Sequence, residues 1–201
     1  MSQGNERWRL FVALDLPPDV KEVLAATQRE LQRRGLGSLR WVRQEGMHIT
    51  LKFLGEVSAQ RVQEIGMALS QAAQNCPAVL LYLDRLGSFG DRRGSRVIWV
   101  GLKGETGALS ELQKRVEKAL APLGFPAEER TFTPHITLAR VPAESVGKHE
   151  GLIQKALASV EVPTTPMALR RLSLMRSHLG PQGARYEELM ATPLEGEGEG
   201  K

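Results

Sequence analysis

The tetrapeptide His-Ile-Thr-Leu occurs twice in this chain, at His48–Leu51 and, unchanged, at His135–Leu138. The two copies lie 87 residues apart, which indicates one folding unit that is present twice. A second pair of segments has the same spacing, because the apolar strand pattern of residues 9–13 recurs at residues 96–100. A duplicated unit therefore constrains the fold more than any other feature of the sequence.

Each copy of the unit is predicted to contain a strand, a helix, a strand that bears the motif, a second helix and a closing strand. The first helix of each copy ends at Gly35 or Gly124, where glycine permits a left-handed C-cap. The remaining helices and strands are predicted at about 58–75, 79–89, 150–160 and 167–177, followed by a turn at 183–186. The fold class is therefore α+β, with two pseudo-symmetric lobes from a duplicated β-α-β-α-β unit around a central cleft.

The domain organisation follows from the same repeat. We expect a single bilobal domain over residues 1–194, with lobe-forming repeats at about 7–92 and 93–180. Only the polar, glycine-rich segment 90–95 separates the two repeats, and it is too short to hold them apart as independent domains. Residues 195–201 alternate Gly and Glu with nothing to bury, so they predict a disordered tail.

Composition limits the compartment and the class of partner. The single cysteine, Cys76, cannot form an internal disulfide, which is typical of a reducing cytoplasm. The apolar run Leu10–Leu14 is too short for a signal peptide or a membrane span, so no membrane partner is expected. A formal net charge of +4 and a pI near 9.5 mildly favour a polyanionic partner such as nucleic acid.

The two motifs carry groups that suit phosphodiester cleavage. On a strand, residues i and i+2 face the same side, so His48 projects with Thr50 and His135 projects with Thr137. Cleavage needs a base that deprotonates the attacking water and an acid that protonates the leaving oxygen, and histidine can serve in either role near neutral pH. Threonine hydroxyls can donate hydrogen bonds to the phosphate oxygens. This chemistry requires neither a metal nor a cofactor, and the residues alone leave the acid and base roles open.

The other two histidines are interpreted differently. His149 and His178 lie outside any repeat of the motif and are expected to be solvent-exposed or capping residues. A zinc site would need more ligands at suitable spacing than these residues offer. No metal site is therefore predicted.

Four segments together resemble the 2H phosphoesterase superfamily: Arg9–Pro17, His48–Gly55, Pro134–Arg140 and Arg176–Gly180. Within it they are most similar to the bacterial and archaeal RNA 2',3'-cyclic phosphodiesterases, also called 2'-5' RNA ligases. The resemblance implies a LigT-like bilobal fold, hydrolysis of RNA 2',3'-cyclic phosphate ends to 2'-phosphates, and reversible 2'-5' joining of tRNA halves as a side activity. It also implies that His48 is the proton donor and His135 the proton acceptor, while Thr50 and Thr137 hold the phosphate.

Further residues are candidates for substrate binding. Lys52 shares the predicted strand face of the first motif, whereas Arg140 has the wrong parity for the cleft unless its strand ends or bulges before it. Arg176, in the last predicted strand, is either a cleft residue or a solvated surface arginine. Phe11 is expected in the core, with stacking on a nucleobase as the alternative.

Two other functions use the same residues. A phosphodiesterase for a small cyclic phosphate, such as ADP-ribose cyclic phosphate, would have the same active site. A non-catalytic module that binds RNA ends would not need a matched acid and base, so the intact pair of motifs argues against it. We expect a cytoplasmic monomer whose partner is RNA with 2',3'-cyclic phosphate ends.

Overall fold

The structure is a computed structural model that describes residues 6–180 and 183–194. Its strands are β1 (Arg7–Asp15), β2 (Arg40–Trp41), β3 (His48–Ser58), β4 (Val79–Asp91), β5 (Gly94–Gly104), β6 (His135–Arg140), β7 (Pro166–Leu169), β8 (Arg171–Gly180) and β9 (Gly183–Pro193). Its α-helices are α1 (Pro18–Leu31), α2 (Val62–Ala73), α3 (Thr106–Leu120) and α4 (Glu150–Ser159). The tail predicted at 195–201 lies outside the described residues.

The described strands form one antiparallel sheet in the order β7-β4-β5-β6-β3-β1-β8-β9, with β2 paired to β6. The two motif strands, β3 and β6, are neighbours at its centre. Their recorded pairing is confined to Ile49 and Ile136, which occupy the same position in the two copies of the motif. A pseudo-two-fold axis therefore passes between these isoleucines, and the α+β fold with two related halves is confirmed.

The helices cover the sheet with their apolar faces. Val20, Leu24 and Leu31 of α1 are fully buried, and α3 buries Leu109 and Leu120 in the same way. These side chains join the inward-facing residues of the central strands in one hydrophobic core. Helix α1 is followed by an irregular turn through Gly35, and α3 by a turn that reverses at Gly124; both glycines have the positive φ predicted for them.

The closing strands pair across the two repeats. Strand β4, from the first repeat, pairs with β5 and β7 of the second, and β8, from the second repeat, pairs with β1 of the first. Segment 90–95, predicted as the boundary between the lobes, is the turn of the β4–β5 hairpin. Each half of the sheet therefore contains strands from both repeats, because a tight hairpin forces its two strands to be neighbours.

The strand register differs by one residue from the predicted alignment of the repeats. Leu14 lies opposite Ile49, and Val100 lies opposite Ile136. Strands β1 and β5 are therefore equivalent at an offset of 86 residues, not 87. The sequence hides this slip because both segments are apolar at almost every position, although a one-residue shift moves each side chain to the other face of a sheet.

The turn predicted at 183–186 is wrong, since Gly183 begins β9. Strand β9 pairs with β8 from Gly183 to Pro193. Its sequence is rich in charge and half exposed, and for that reason it lacks the apolar alternation of a typical strand.

In the described part of the chain, no helix has the length and apolar character needed to cross a bilayer.

Candidate functional site

A cleft of about 710 Å³ lies over the two central strands. It brings together both histidines and both threonines of the motifs, as the repeat predicts. Of the four further candidates, Phe11, Lys52 and Arg140 also line it, and Arg176 does not. Identical motifs on neighbouring strands thus place two imidazoles and two hydroxyls on one surface.

The imidazole of His48 is fixed by its neighbours. Its Nδ1–H donates to the carbonyl oxygen of Gly46, 2.7 Å away, and its Nε2 lies 3.0 Å from the hydroxyl oxygen of Thr50. The rings of Phe11 and Tyr186 contact the imidazole, with centroids 4.8 and 5.1 Å from it. Because Nδ1 is used by a carbonyl, which can only accept, Nε2 is the nitrogen that can exchange a proton with a substrate.

The environment of His135 repeats this arrangement on the other side of the pseudo-axis. Its Nδ1–H donates to the carbonyl oxygen of Thr133, 2.7 Å away, again two residues before the histidine. The ring of Phe89 meets the imidazole edge-on, with 4.9 Å between the centroids. Both histidines are therefore held in the same tautomer when neutral.

Burial disfavours the protonated form of both imidazoles. Loss of solvation on burial lowers the pKa of His48 from 6.5 to about 4, although the carboxylate of Asp15 opposes this shift. The pKa of His135 is also lowered, first by burial and then by the positive charge of Arg140. Each imidazole is thus suited to accept a proton, and acts as an acid only where a nearby negative charge favours its protonated form.

A β-bulge in each motif strand decides which residues reach the cleft. In β3, Thr50 lies opposite Ala13 and Lys52 opposite Val12, so Leu51 is the additional residue. In β6, the same count leaves Leu138 as the additional residue between Thr137 and Ala139. After the additional residue, the side chains alternate between the two faces of the sheet in the opposite order. This change brings Phe53 and Arg140 to the cleft.

For Lys52, which is predicted to bind substrate, the bulge has the opposite effect. The residue is only 3% exposed, and its ammonium donates to Glu117 at 2.5 Å and to the carbonyl oxygen of Pro126 at 2.7 Å. Its charge is therefore engaged within the protein, at the wall of the cleft.

Phe11 and Arg176 also make contacts within the protein, and these contacts argue against direct binding of the substrate. Phe11 is 2% exposed, so its ring supports His48 and offers no free face to a nucleobase. The guanidinium of Arg176 lies 4.0 Å from the centroid of the Trp8 ring and 3.2 Å from Glu6. The neighbouring Ser177 lines the cleft, and strand alternation turns Arg176 to the other face.

Several cleft residues were not predicted. Arg9 lines the cleft on the same strand face as Phe11, a position that parity could have identified. Tyr186 was hidden by the mistaken turn, and Arg130 lies in segment 124–134, which has no helix or strand and gives no periodic signal. Phe53 and Phe89 present large exposed aromatic surfaces, at 56% and 36%.

The two remaining histidines stay outside the cleft. His178 bonds to Glu187 at 2.8 Å, and His149 immediately precedes α4. Among residues 6–180 and 183–194, no group of three or more His, Cys, Asp or Glu side chains is arranged to hold a metal ion.

Comparison with known proteins agrees with the duplicated architecture. The model of the family described as LigT like Phosphoesterase matches the chain twice, at residues 14–99 and 100–186. These two matches begin 86 residues apart, the offset that the strand pairing shows.

Curated relatives cover most of the chain. The RNA 2',3'-cyclic phosphodiesterase of Thermotoga maritima is 32% identical over 188 residues, which is 94% of this chain and 96% of the relative. The protein of the same name from Methanocaldococcus jannaschii is 32% identical over 179 residues, covering 89% of this chain and 96% of the relative.

Solved structures share the fold. A protein of Thermus thermophilus superposes with a TM-score of 0.75 at 26% identity, covering 94% of this chain and 100% of that one. Escherichia coli LigT in complex with 3'-AMP gives a TM-score of 0.70 at 27% identity over 94% of this chain and 99% of that one. With both halves matched by one family model, this chain belongs to the LigT-like phosphoesterases of the 2H superfamily.

Proposed function

We propose that this protein hydrolyses the 2',3'-cyclic phosphate at RNA ends to a 2'-phosphate, with His48 and His135 as its acid–base pair. One observation carries the proposal: the two histidines lie on either side of the Ile49–Ile136 pairing, and each has its Nδ1 anchored to a backbone carbonyl. The names of the curated relatives support the substrate.

The reaction follows from this geometry as an in-line displacement. His135 Nε2 takes a proton from a water molecule as the water oxygen bonds to phosphorus, and the bond from phosphorus to the 3' oxygen breaks. His48 donates its proton to that departing oxygen, so the products are a free 3' hydroxyl and a 2'-phosphate. The hydroxyls of Thr50 and Thr137 donate to the nonbridging oxygens, and Arg140 offsets their negative charge.

An electrostatic asymmetry supports this assignment of roles. Asp15 lies opposite His48 in the strand register, and its carboxylate favours the protonated imidazole, an effect that Lys21, paired with Asp15 at 2.6 Å, partly offsets. The corresponding position opposite His135 is Gly101, which has no charge, while Arg140 disfavours a protonated His135. The phosphate of the substrate adds a further negative charge beside His48 and raises its pKa from about 4 towards the range that an acid needs.

The direct test is incubation with an oligoribonucleotide that ends in a 2',3'-cyclic phosphate, with product analysis that separates 2'- from 3'-phosphates. We expect a 2'-phosphate, formed equally well in EDTA, and losses of about 100- to 10,000-fold for His48→Ala or His135→Ala. Folding of each variant is checked by circular dichroism. A 3'-phosphate product would reverse the bond assignment, and loss of turnover in EDTA that a divalent cation restores would overturn metal-independent chemistry.

Small nucleotide cyclic phosphates are a second class of substrate to assay. Escherichia coli LigT has been crystallised with 3'-AMP, NADP+ and ATP, so that protein holds nucleotides. Profiling RNA against ADP-ribose cyclic phosphate separates the two classes. Ligation is the parallel displacement, in which a 5' hydroxyl attacks phosphorus in place of water, a 2'-5' phosphodiester forms and the 3' oxygen leaves as a hydroxyl; the reverse of that step cleaves the 2'-5' linkage. tRNA halves as substrates, a cytoplasmic location and a monomeric state stay predictions.

A further inference from the structure

The near symmetry of the catalytic groups leaves the direction of a bound RNA strand undetermined. Both motifs present the same imidazole and hydroxyl to the phosphate, so they do not by themselves fix the direction in which an RNA strand crosses the cleft. The walls of the cleft must supply that asymmetry. The two walls differ most clearly at Arg9 on β1.

Arg9 presents an unengaged positive charge to the cleft. Its side chain is exposed and lines the cleft, and the guanidinium has no hydrogen-bond or ion-pair partner in the part of the chain that the structure describes, although Glu56 lies opposite Arg9 on β3. Nearby arginines are engaged, since Arg7 donates to the carbonyl oxygen of Glu56 and Arg176 binds Glu6. A guanidinium left unpaired in a cleft is suited to an anionic ligand.

The other repeat has no charge at the equivalent position. At the offset of 86 residues, the counterpart of Arg9 is Ser95, which is 4% exposed. Its hydroxyl and backbone N–H both donate to Glu150, so it is closed to a ligand. The pseudo-two-fold relation is therefore broken at this position, in favour of the wall that carries His48.

The strand register places Arg9 one step beyond the reacting centre. Phe11, two residues along β1 and about 7 Å away, packs against the His48 ring. Ser177 lies opposite both Arg9 and Tyr186 on adjacent strands, and all three residues line the cleft. One cross-strand row therefore offers a guanidinium and two hydroxyl groups.

The covalent structure of ribose indicates which phosphate this row can reach. The oxygen that leaves in the proposed reaction is on C3', which is bonded to C4', the carbon that carries C5' and the 5' phosphate. The base is attached through C1', on the side of the oxygen that retains the phosphate. The group that protonates the 3' oxygen, His48, therefore faces the 5' side of the terminal nucleotide, and Arg9 lies on the same wall.

We propose that Arg9, with Ser177 and Tyr186 beside it, binds the backbone phosphate on the 5' side of the terminal nucleotide. The upstream RNA then leaves the cleft over β1, β8 and β9, and an oligoribonucleotide is preferred over a mononucleoside 2',3'-cyclic phosphate. The inference rests on the proposed function. Arg130, a cleft residue of segment 124–134 that also has no ion pair among the described residues, is the competing site.

The test compares three substrates in steady-state hydrolysis. They are 2',3'-cyclic AMP, a diribonucleotide ending in a 2',3'-cyclic phosphate, and the same dinucleotide with an uncharged methylphosphonate linkage. The variants are Arg9→Ala, Arg9→Lys, Arg130→Ala and Arg185→Ala. Arg185 is the matched control, because it is an exposed arginine on the same wall whose neighbour Tyr186 lines the cleft, so alternation turns it to the other face.

We expect Arg9→Ala to cost the charged dinucleotide about 10- to 100-fold more in kcat/KM than it costs cyclic AMP, mainly through KM. Arg9→Lys should retain part of the preference, and Arg185→Ala all of it. The wild type should treat the methylphosphonate dinucleotide nearly as it treats cyclic AMP. Equal losses on all substrates for Arg9→Ala, or a selective loss in Arg130→Ala alone, would overturn the proposal.

A binding measurement separates this inference from the proposed function. Affinity for a dinucleotide that ends in a 2'-phosphate is measured against salt concentration, with no turnover required. Arg9→Ala should weaken binding and reduce the slope of log affinity against log salt by about 0.7, the value for one phosphate contact in a single strand. An inactive wild type that still shows this difference would refute the hydrolysis and retain the subsite, whereas an unchanged slope would refute the subsite alone.

Discussion

At the scale of single residues, the site depends on what holds each imidazole and what charges surround it. The two histidines share a tautomer and an aromatic contact, and they differ in how far burial lowers the pKa and in their charged neighbours, which are Asp15 and Lys21 for His48 and Arg140 for His135. Identical motifs therefore acquire different proton affinities from residues outside the motifs. This difference can be tested in catalysis and in stability.

An activated substrate tests the roles in catalysis. If His48 protonates the departing oxygen, a phosphodiester with a good leaving group such as p-nitrophenol needs that proton less. His48→Ala should then lose far less rate on this substrate than on RNA, where about 100- to 10,000-fold is expected. His135→Ala should not be rescued, because activation of water is still missing. Rescue of His135→Ala alone would exchange the two roles.

The lowered pKa of His48 predicts acid sensitivity of the fold. The folded protein keeps this imidazole neutral down to about pH 4, whereas the unfolded chain binds a proton below about 6.5. The stability contributed by the neutral group is therefore present above pH 6.5 and is lost as the pH falls towards 4. Between pH 7 and pH 5, urea denaturation should show about 2 kcal/mol more loss for the wild type than for His48→Gln. An equal loss in both proteins would contradict the buried neutral state.

At the scale of secondary structure elements, the strands and helices of the repeat could be predicted, and their irregularities could not. Alternation of apolar residues locates β3 and β6, but the bulges at Leu51 and Leu138 decide whether Lys52 or Phe53 faces the cleft. A bulge depends on the pairing of neighbouring strands, which a single strand's sequence does not report. Segment 124–134 is unpredictable for a related reason, since it has no helix or strand and depends on contacts from distant parts of the sequence.

Lys52, which forms a buried ion pair with Glu117, makes one of those contacts. Lys52 joins β3 to α3 and, through the carbonyl oxygen of Pro126, to segment 124–134. That segment carries Thr133, whose carbonyl oxygen orients His135. Lys52 is therefore a positioning residue that supports one wall of the cleft.

Removing one partner of this pair should destabilise the protein. Lys52→Met leaves Glu117 buried without its counter-charge, a change that typically costs about 3–5 kcal/mol. The double variant Lys52→Met with Glu117→Leu should recover most of that stability while kcat/KM stays low, because Pro126 is still released. Urea denaturation and steady-state kinetics measure both effects. A stable Lys52→Met protein with a raised KM would instead show that the lysine contacts substrate.

At the scale of the whole molecule, the exchange of strands between repeats ties the two halves into one folding unit. Strand β4 has its two recorded partners, β5 and β7, in the second repeat, and β1 has β8 from the second repeat on one side. A chain cut at the β4–β5 turn would therefore leave β4 of the first fragment without the neighbours it has in the sheet. The duplicated sequence alone suggests the opposite, two halves that could each close.

Fragments divided at this turn test the argument. Residues 6–92 and 93–194, expressed separately, should each lack a cooperative unfolding transition, because the missing strands leave ladder hydrogen bonds and apolar faces unsatisfied. Mixed in equal amounts, the fragments should regain the circular dichroism spectrum and the activity of the intact protein. The full chain should unfold in one transition when followed by tryptophan fluorescence and by circular dichroism together. A cooperative transition in either fragment alone would show that a repeat folds independently, and that the strand exchange adds little to the stability of the halves.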